Sequence, residues 1–284
     1  MIDLEKIAKE INKELTKRRN ELELKFFEDT HTYEMLDLKN VLRNDWQSIS
    51  KKIENFYNKF NAFEKATQMS RGDVVQRDFL LESWQNKADY STNKGSFVHY
   101  ELEKHAVELY GNYKEVRKPI FECDEQQILD GKCMIEAGKN FIQLMHDRGA
   151  YLLDTEVVLG SPEIEAVGQA DKFWLIENKQ KTDFGFICTD WKTNQPKNFE
   201  VKPYTDQMLH PFGEYPNTAL YHYHTQLPMY SRLLLDMLKN TKFKNLKLYG
   251  CIVVLLKSDG YFEEFRTPQY FNNTILQMNN FNKQ

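Results

Sequence analysis

The segment FICTDWKTNQ (186–195) carries an acid and an amine two residues apart at the end of a mostly apolar run. In an extended chain successive side chains alternate between faces, so Phe186, Cys188, Asp190 and Lys192 project the same way. A second acid, Asp171, belongs to the preceding strand-like segment AVGQADKFWLI (166–176), and the turn-rich ENKQKTD joins the two. An antiparallel hairpin centred near Gln180 and Lys181 sets Asp171 opposite Asp190, with Cβ atoms roughly 5 Å apart. Two carboxylates that close repel, and a hard cation between them removes the repulsion. Mg²⁺ or Mn²⁺ suits such oxygen ligands, and Mg²⁺, at about 2.1 Å, keeps positions for water and phosphate. Lys192, one pleat along, then faces whatever the ion holds, to orient a bound water or to stabilise charge building on phosphorus. The competing reading is a solvent-facing hairpin edge on which Asp and Lys merely discourage aggregation. A one-residue slip in register would also separate the two acids.

The elements that must position these residues follow from periodicity and turn chemistry. Residues 3–24 read as a helix with Leu4, Ile7, Ile11 and Leu15 in one apolar stripe. LKFFEDTHTYEML (24–36) reads as a short hairpin turning at EDTH, and 44 to about 90 as mostly helical. STNKGSFVHYELEKHAVELYG (91–111) reads as a polar loop and then a helix ending at Gly111, and 124–149 as a helix with a glycine stop. Strands are expected at 151–160, 166–176 and 184–192, a helix over about 218–240, and strands at 246–257 and 261–267 around the turn SDG. This order predicts an α/β (α+β) protein with one central mixed β-sheet flanked by helices. The expected division is a mostly helical N-terminal lobe, 1–90, packed on a core of 91–284.

With 284 residues, 41% of them hydrophobic and 28% charged, the chain can bury one sizeable core and has the composition of a water-soluble protein. No apolar run is long enough to span a bilayer, so no membrane partner is expected. The N-terminal pattern is a charged amphipathic helix without a signal-peptide apolar segment; a cytoplasmic location, in a host cell if the chain is viral, is the default. A net charge of −4 does not announce nucleic acid, yet a metal held by acids can meet phosphate through the ion. KRR (17–19) and KK (51–52) read as solvated helix faces. Cys123, Cys133, Cys188 and Cys251 lack CxxC spacing and read as reduced core cysteines.

Four motifs stand in order: GSFVHYELE (95–103), GQAD (168–171), DWKT (190–193) and QLPMY (226–230). Together they resemble the PD-(D/E)XK nuclease superfamily, most closely its RecB-type branch, which includes phage and mitochondrial genome-maintenance exonucleases. The likeness covers about 95–270. It implies a restriction-endonuclease-like core and a Mg²⁺- or Mn²⁺-dependent deoxyribonuclease, with exonuclease action favoured. DNA, single-stranded or as duplex ends, would be the partner, in replication, recombination or repair, alongside other proteins of those processes.

By the same resemblance Asp171 and Asp190 ligate metal and, with Lys192, form the catalytic set. His99 matches the family histidine, a further ligand or a substrate contact; otherwise it is a helix-face residue satisfied by Glu103. Glu156 falls on the first strand, where the family often has a glutamate near the metal, with Glu163 and Glu165 as competing candidates. Gln226 and Tyr230, one helical turn apart, would lie beside the site, supporting the lysine or contacting DNA, or else serve an amphipathic helix. Pro228 between them requires a first-turn position or a kink. Thr193 would help bind phosphate or only stop the strand. Relatives with an iron–sulfur cluster carry three downstream cysteines; here only Cys251 follows Tyr230, so no cluster is expected. Trp46, Phe56, Phe60, Phe63 and Trp84 could stack bases, although aromatics at helical spacing are more often core. The alternative functions are a nucleic-acid-binding or assembly protein that keeps the fold without turnover, and an endonuclease.

Overall fold

The computed structural model describes residues 2–110, 116, 121–203, 205–279 and 281. The chain opens with helix α1 (Leu4–Glu21), capped by the Asp3 carboxylate, which accepts from the Lys6 amide. A small antiparallel sheet follows, β1 (Lys25–Phe27), β2 (Thr32–Leu36) and β3 (Leu42–Arg43); the EDTH turn lies between the first two, as its composition predicts. Short α2 (Ile49–Lys52) and a 3-10 turn, Ile53–Phe56, lead to α3 (Ala62–Met69), α4 (Val74–Tyr110) and α5 (Glu125–Asp147). A reciprocal Asp124–Gln127 capping box starts α5, and Gly149 at φ +77° follows its end.

The central sheet contains β4 (Tyr151–Ser161), β5 (Ala166–Glu177), β6 (Phe184–Lys192), β7 (Lys247–Leu256) and β8 (Phe262–Arg266), in that spatial order. Neighbouring strands are antiparallel except β6 and β7, which run parallel because α6 (Ala219–Leu238) lies in the crossover between them. Helix α7 (Gln269–Gln277), which the sequence reading left unassigned, closes the chain. The fold is thus α/β, a mixed five-stranded sheet flanked by helices.

Alternation along the strands divides the core into two layers. Phe173, Leu175, Phe186, Val253 and Leu255 pack under α1, α6 and α7. Trp174, Trp191, Ile252 and Val254 pack under α5 and the C-terminal part of α4. Close approach of α4 and α5 needs Gly138, where a Cβ would collide with Leu102. The α1 stripe, Leu4, Ala8, Ile11 and Leu15, sits in the main core under the sheet.

Several expectations are corrected. Residues 91–95 are not a loop: α4 runs unbroken through residue 90, because Ser91 and Thr92 sit on an exposed helix surface where their polarity costs nothing and Asn93 is only half-buried. The Gly111 stop lies outside the described residues. Of the aromatics expected in the core, Phe56 is buried, but Phe60 and Phe63 are 71% and 58% exposed. Cys188 and Cys251 are core residues on adjacent strands, while Cys133 is exposed and Cys123 half-buried. Pro228 lies mid-helix in α6, not in its first turn. Among the described residues, no helix is long and apolar enough to cross a membrane.

Candidate metal centre

The three strands β4, β5 and β6 bring three acids into one row. Thr155 pairs with Lys172 and Val157 with Ala170, which sets Glu156 alongside Asp171. On the other side the β5–β6 ladder reaches Lys172 opposite Thr189, and the next step sets Asp171 alongside Asp190. That register is the one a turn centred at Gln180 and Lys181 dictates; Asn178 closes the turn by donating its amide to the Asp183 carbonyl at 2.8 Å. Asp171 is therefore the middle carboxylate of the row.

Each acid has a different environment. Asp171 Oδ2 accepts the backbone N–H of Trp191 at 2.9 Å and lies 3.4 Å from His99 Nδ1. Asp190 is buried at the floor, with Lys192 Nζ 2.7 Å from its Oδ2 but outside hydrogen-bond alignment, so that oxygen has a counter-charge and no aligned donor. Burial, and after it the adjacent Asp171 carboxylate, pushes the Asp190 carboxyl up to about 7 against the opposing pull of Lys192. Glu156 holds a φ of +47°, a left-handed backbone in the middle of a strand. For a residue with a Cβ that costs on the order of 1 kcal/mol, and such strain concentrates at functional sites.

Helix α4 delivers the imidazole. Val98, Leu102 and Ala106 anchor its C-terminal half in the layer under α5, and His99, next to Val98, falls at the edge beside the acid row. Burial lowers His99 to about 4; Asp190 opposes this, while Lys192 and Lys172 add to it, so the ring is neutral at pH 7 with a lone pair free to bind a cation. Ligand atoms of His99, Glu156 and Asp171 all lie within 4.8 Å of one another. Ligands sharing one ion at about 2.1 Å stand about 3 to 4.2 Å apart, so closing on an ion takes side-chain movements on the order of an ångström. Two carboxylates and a neutral imidazole fit a hard divalent cation, while Asp190, outside that group, stands beside Asp171 with its Oδ2 against Lys192.

Lys192 remains an ammonium. Burial pulls its pKa down, but Asp190, Tyr223 and Asp171 outweigh burial and leave it raised. Its Nζ sits 4.2 Å from the Tyr223 ring centroid, and the Tyr223 hydroxyl donates to Asn194 Oδ1 at 3.1 Å. Gln226 and Tyr230 are used differently from the expected support of the lysine. Gln226 Nε2 donates to Ser50 Oγ and to Tyr230 Oη, both at 3.1 Å, and so ties α6 to α2. Tyr230 packs so closely on β5 that a Cβ on Gly168 would stand 2.7 Å from its ring, which is why GQAD opens with glycine. Thr193 lies on the wall of a cleft opposite Gly95, and Glu163 pairs with Lys239 on the surface, away from the row.

Three neighbours were missed by the sequence reading. Tyr223 precedes Gln226 by three residues on the same helix, so extending the QLPMY face back one turn would have found it. Lys172, fully buried with Nζ 4.8 Å from the Trp191 ring centroid, reads in sequence as an exposed strand residue, and only packing reveals it. Ser50 carries no signal. No protein-family model and no curated protein sequence matches the chain.

Proposed function

We propose that the chain is a divalent-metal-dependent nuclease of PD-(D/E)XK type with a restriction-endonuclease-like core, hydrolysing phosphodiester bonds in DNA from strand ends. The observation that carries the reading is the row Glu156–Asp171–Asp190 on adjacent strands, with Lys192 at one end and His99 over the middle. A surface hairpin edge has no reason to bury Asp190 or to hold like charges side by side, so the bland reading of DWK loses its basis.

Asp171, Glu156 and His99 would hold Mg²⁺ or Mn²⁺, with Asp190 beside them as the further acidic ligand. When bound, such an ion neutralises phosphate oxygens and makes water a better nucleophile. Lys192, protonated and fixed between Asp190 and Tyr223, supplies positive charge where it develops on the phosphate oxygens; its raised pKa excludes it as the base. His99, neutral through burial, brings a nitrogen lone pair and no charge of its own. The Trp191 amide holds Asp171 in one orientation, so the central ligand needs no reorganisation.

The test is hydrolysis of linear and covalently closed DNA with Mg²⁺ or Mn²⁺. Expected are cutting of linear DNA that chelator abolishes and loss of cutting in Asp190→Ala. Cleavage indifferent to chelator and to that substitution removes the site, cutting of closed circles makes the enzyme an endonuclease, and no cleavage of any DNA leaves a binding protein.

A further inference from the structure

A cleft of about 1240 Å³ runs from the candidate metal centre along the N-terminal half of α4. From Val74 to Asp89 this helix contributes no buried residue, so a long stretch of it is unexplained by packing on the core. Phe79, Ser83, Asn86, Tyr90 and Lys94 line the cleft at spacings of i, i+4, i+7, i+11 and i+15, which puts them on one helix face. The lining then winds to Gly95 and His99, about 30 Å along the axis from Phe79 at 1.5 Å per residue. Lys87 adds a charge beside that face, and Lys197 and Lys192 face it from the segment at and beyond the end of β6. Among the described residues Lys87, Lys94 and Lys197 have no carboxylate partner; Lys94 lies 5.8 Å from the Tyr90 ring centroid.

We infer that this cleft is the entry track for an unpaired DNA strand, with Lys87, Lys94 and Lys197 on its phosphates and Phe79 and Tyr90 stacking on its bases. Lys87, Lys94, Lys192 and Lys197 outnumber the two carboxylates of the lining, Glu82 and Asp130, so the cleft carries the net positive charge that phosphate requires. Aromatic side chains between them select the unpaired state, because a base offers its face for stacking only when it is outside a duplex. Phe79 is 68% exposed, a cost in water that a stacked base would offset. Serine and asparagine on the same face contact sugar and phosphate without reading sequence. The identity of the polymer rests on the nuclease reading; the track and the strand state rest on the cleft.

Fluorescence anisotropy of the full chain in EDTA, with labelled oligothymidylate and a labelled blunt duplex as probes, separates binding from hydrolysis. Expected is at least tenfold tighter binding of oligothymidylate than of duplex. Phe79→Ala, and Lys87→Gln combined with Lys94→Gln, should each weaken it about tenfold, and the lysine pair should reduce the log–log salt slope by about 1.4, or 0.7 per phosphate contact. Equal affinity for the two probes, or folded variants that bind as the parent does, overturns the track. Strand binding of the expected pattern without any metal-dependent cutting keeps the track and removes the nuclease. Metal-dependent cutting that ignores Phe79, Lys87 and Lys94 does the reverse.

Discussion

The end of the central sheet and the free half of α4 border the same cleft but are built on opposite terms. At the sheet end, charged groups are buried against one another: Asp190 and Lys192 have side chains only 8% and 18% exposed, and Asp171 is held by a backbone amide. Along α4 from Val74 to Asp89, polar, aromatic and basic side chains are exposed or only half-buried. Burial makes the first region rigid and electrostatically strong, since a charge removed from water meets less screening. Exposure makes the second cheap to change and free to take a ligand. Chemistry requires fixed groups at the sheet end, whereas a track for a flexible polymer needs only regularly spaced contacts.

Substitutions at the two regions should therefore differ most in what they damage. Asp171→Ala is expected to reduce metal-dependent hydrolysis at least a thousandfold, because it removes the middle ligand; a variant retaining a tenth of the parental rate would break the distinction. Lys192→Met should lower kcat by about a hundredfold or more, as loss of one preorganised donor does elsewhere, while Mn²⁺ binding measured by calorimetry persists. Gly168→Ala should cost about 2 kcal/mol of stability in urea unfolding, from overpacking against Tyr230. Tyr223→Leu should slow hydrolysis roughly tenfold with KM little changed, and Tyr223→Phe should restore most of the loss, because the ring face and not the hydroxyl meets Lys192.

A pH prediction sharpens the same contrast on α6. Burial lowers both His222 and His224 to about 4. The unfolded chain takes up those protons near pH 6.5, so between about 4 and 6.5 it binds more protons than the folded protein. Their contribution is then full above pH 6.5 and falls as pH drops through that window; His99 adds to it and the raised Asp190 carboxyl opposes it, three groups against one, so a urea midpoint unchanged from about pH 7 to pH 5 would contradict it. The smallest effect belongs to the arm: Val75→Gln, at a residue 80% exposed, should shift stability by no more than about 0.5 kcal/mol.

Local chemistry made much of this legible. The turn at ENKQKTD and the alternation of its flanking strands set the Asp171–Asp190 register, and glycine punctuation marked the end of α5. Where the reading missed, the cause lay outside the segment. Serine, threonine and asparagine at 91–93 suggest a loop, yet an amphipathic stripe further on, Val98, Leu102 and Ala106, anchors the helix that carries them. Phe60 and Phe63 have core composition, yet their only ring and cation neighbours among the described residues, Trp84 and Arg77, lie on α4, and both stay largely exposed. Tyr223 and Lys172 join the site through rings and charges that lie on other elements, a relation that no periodicity encodes.

The amino-acid order alone determined where the five strands of the central sheet and most helices lie, how the central hairpin is registered and which acids therefore stand abreast, because alternation and turn geometry act over a few residues. Tertiary packing decided the rest: that His99 arrives over Asp171 from a distant helix, that Asp190 is dry enough for its proton affinity to rise, and that Tyr223 holds the amine. The physical reason is range. Backbone preferences are settled between neighbours, whereas desolvation and Coulomb forces depend on what the whole fold brings within a few ångströms.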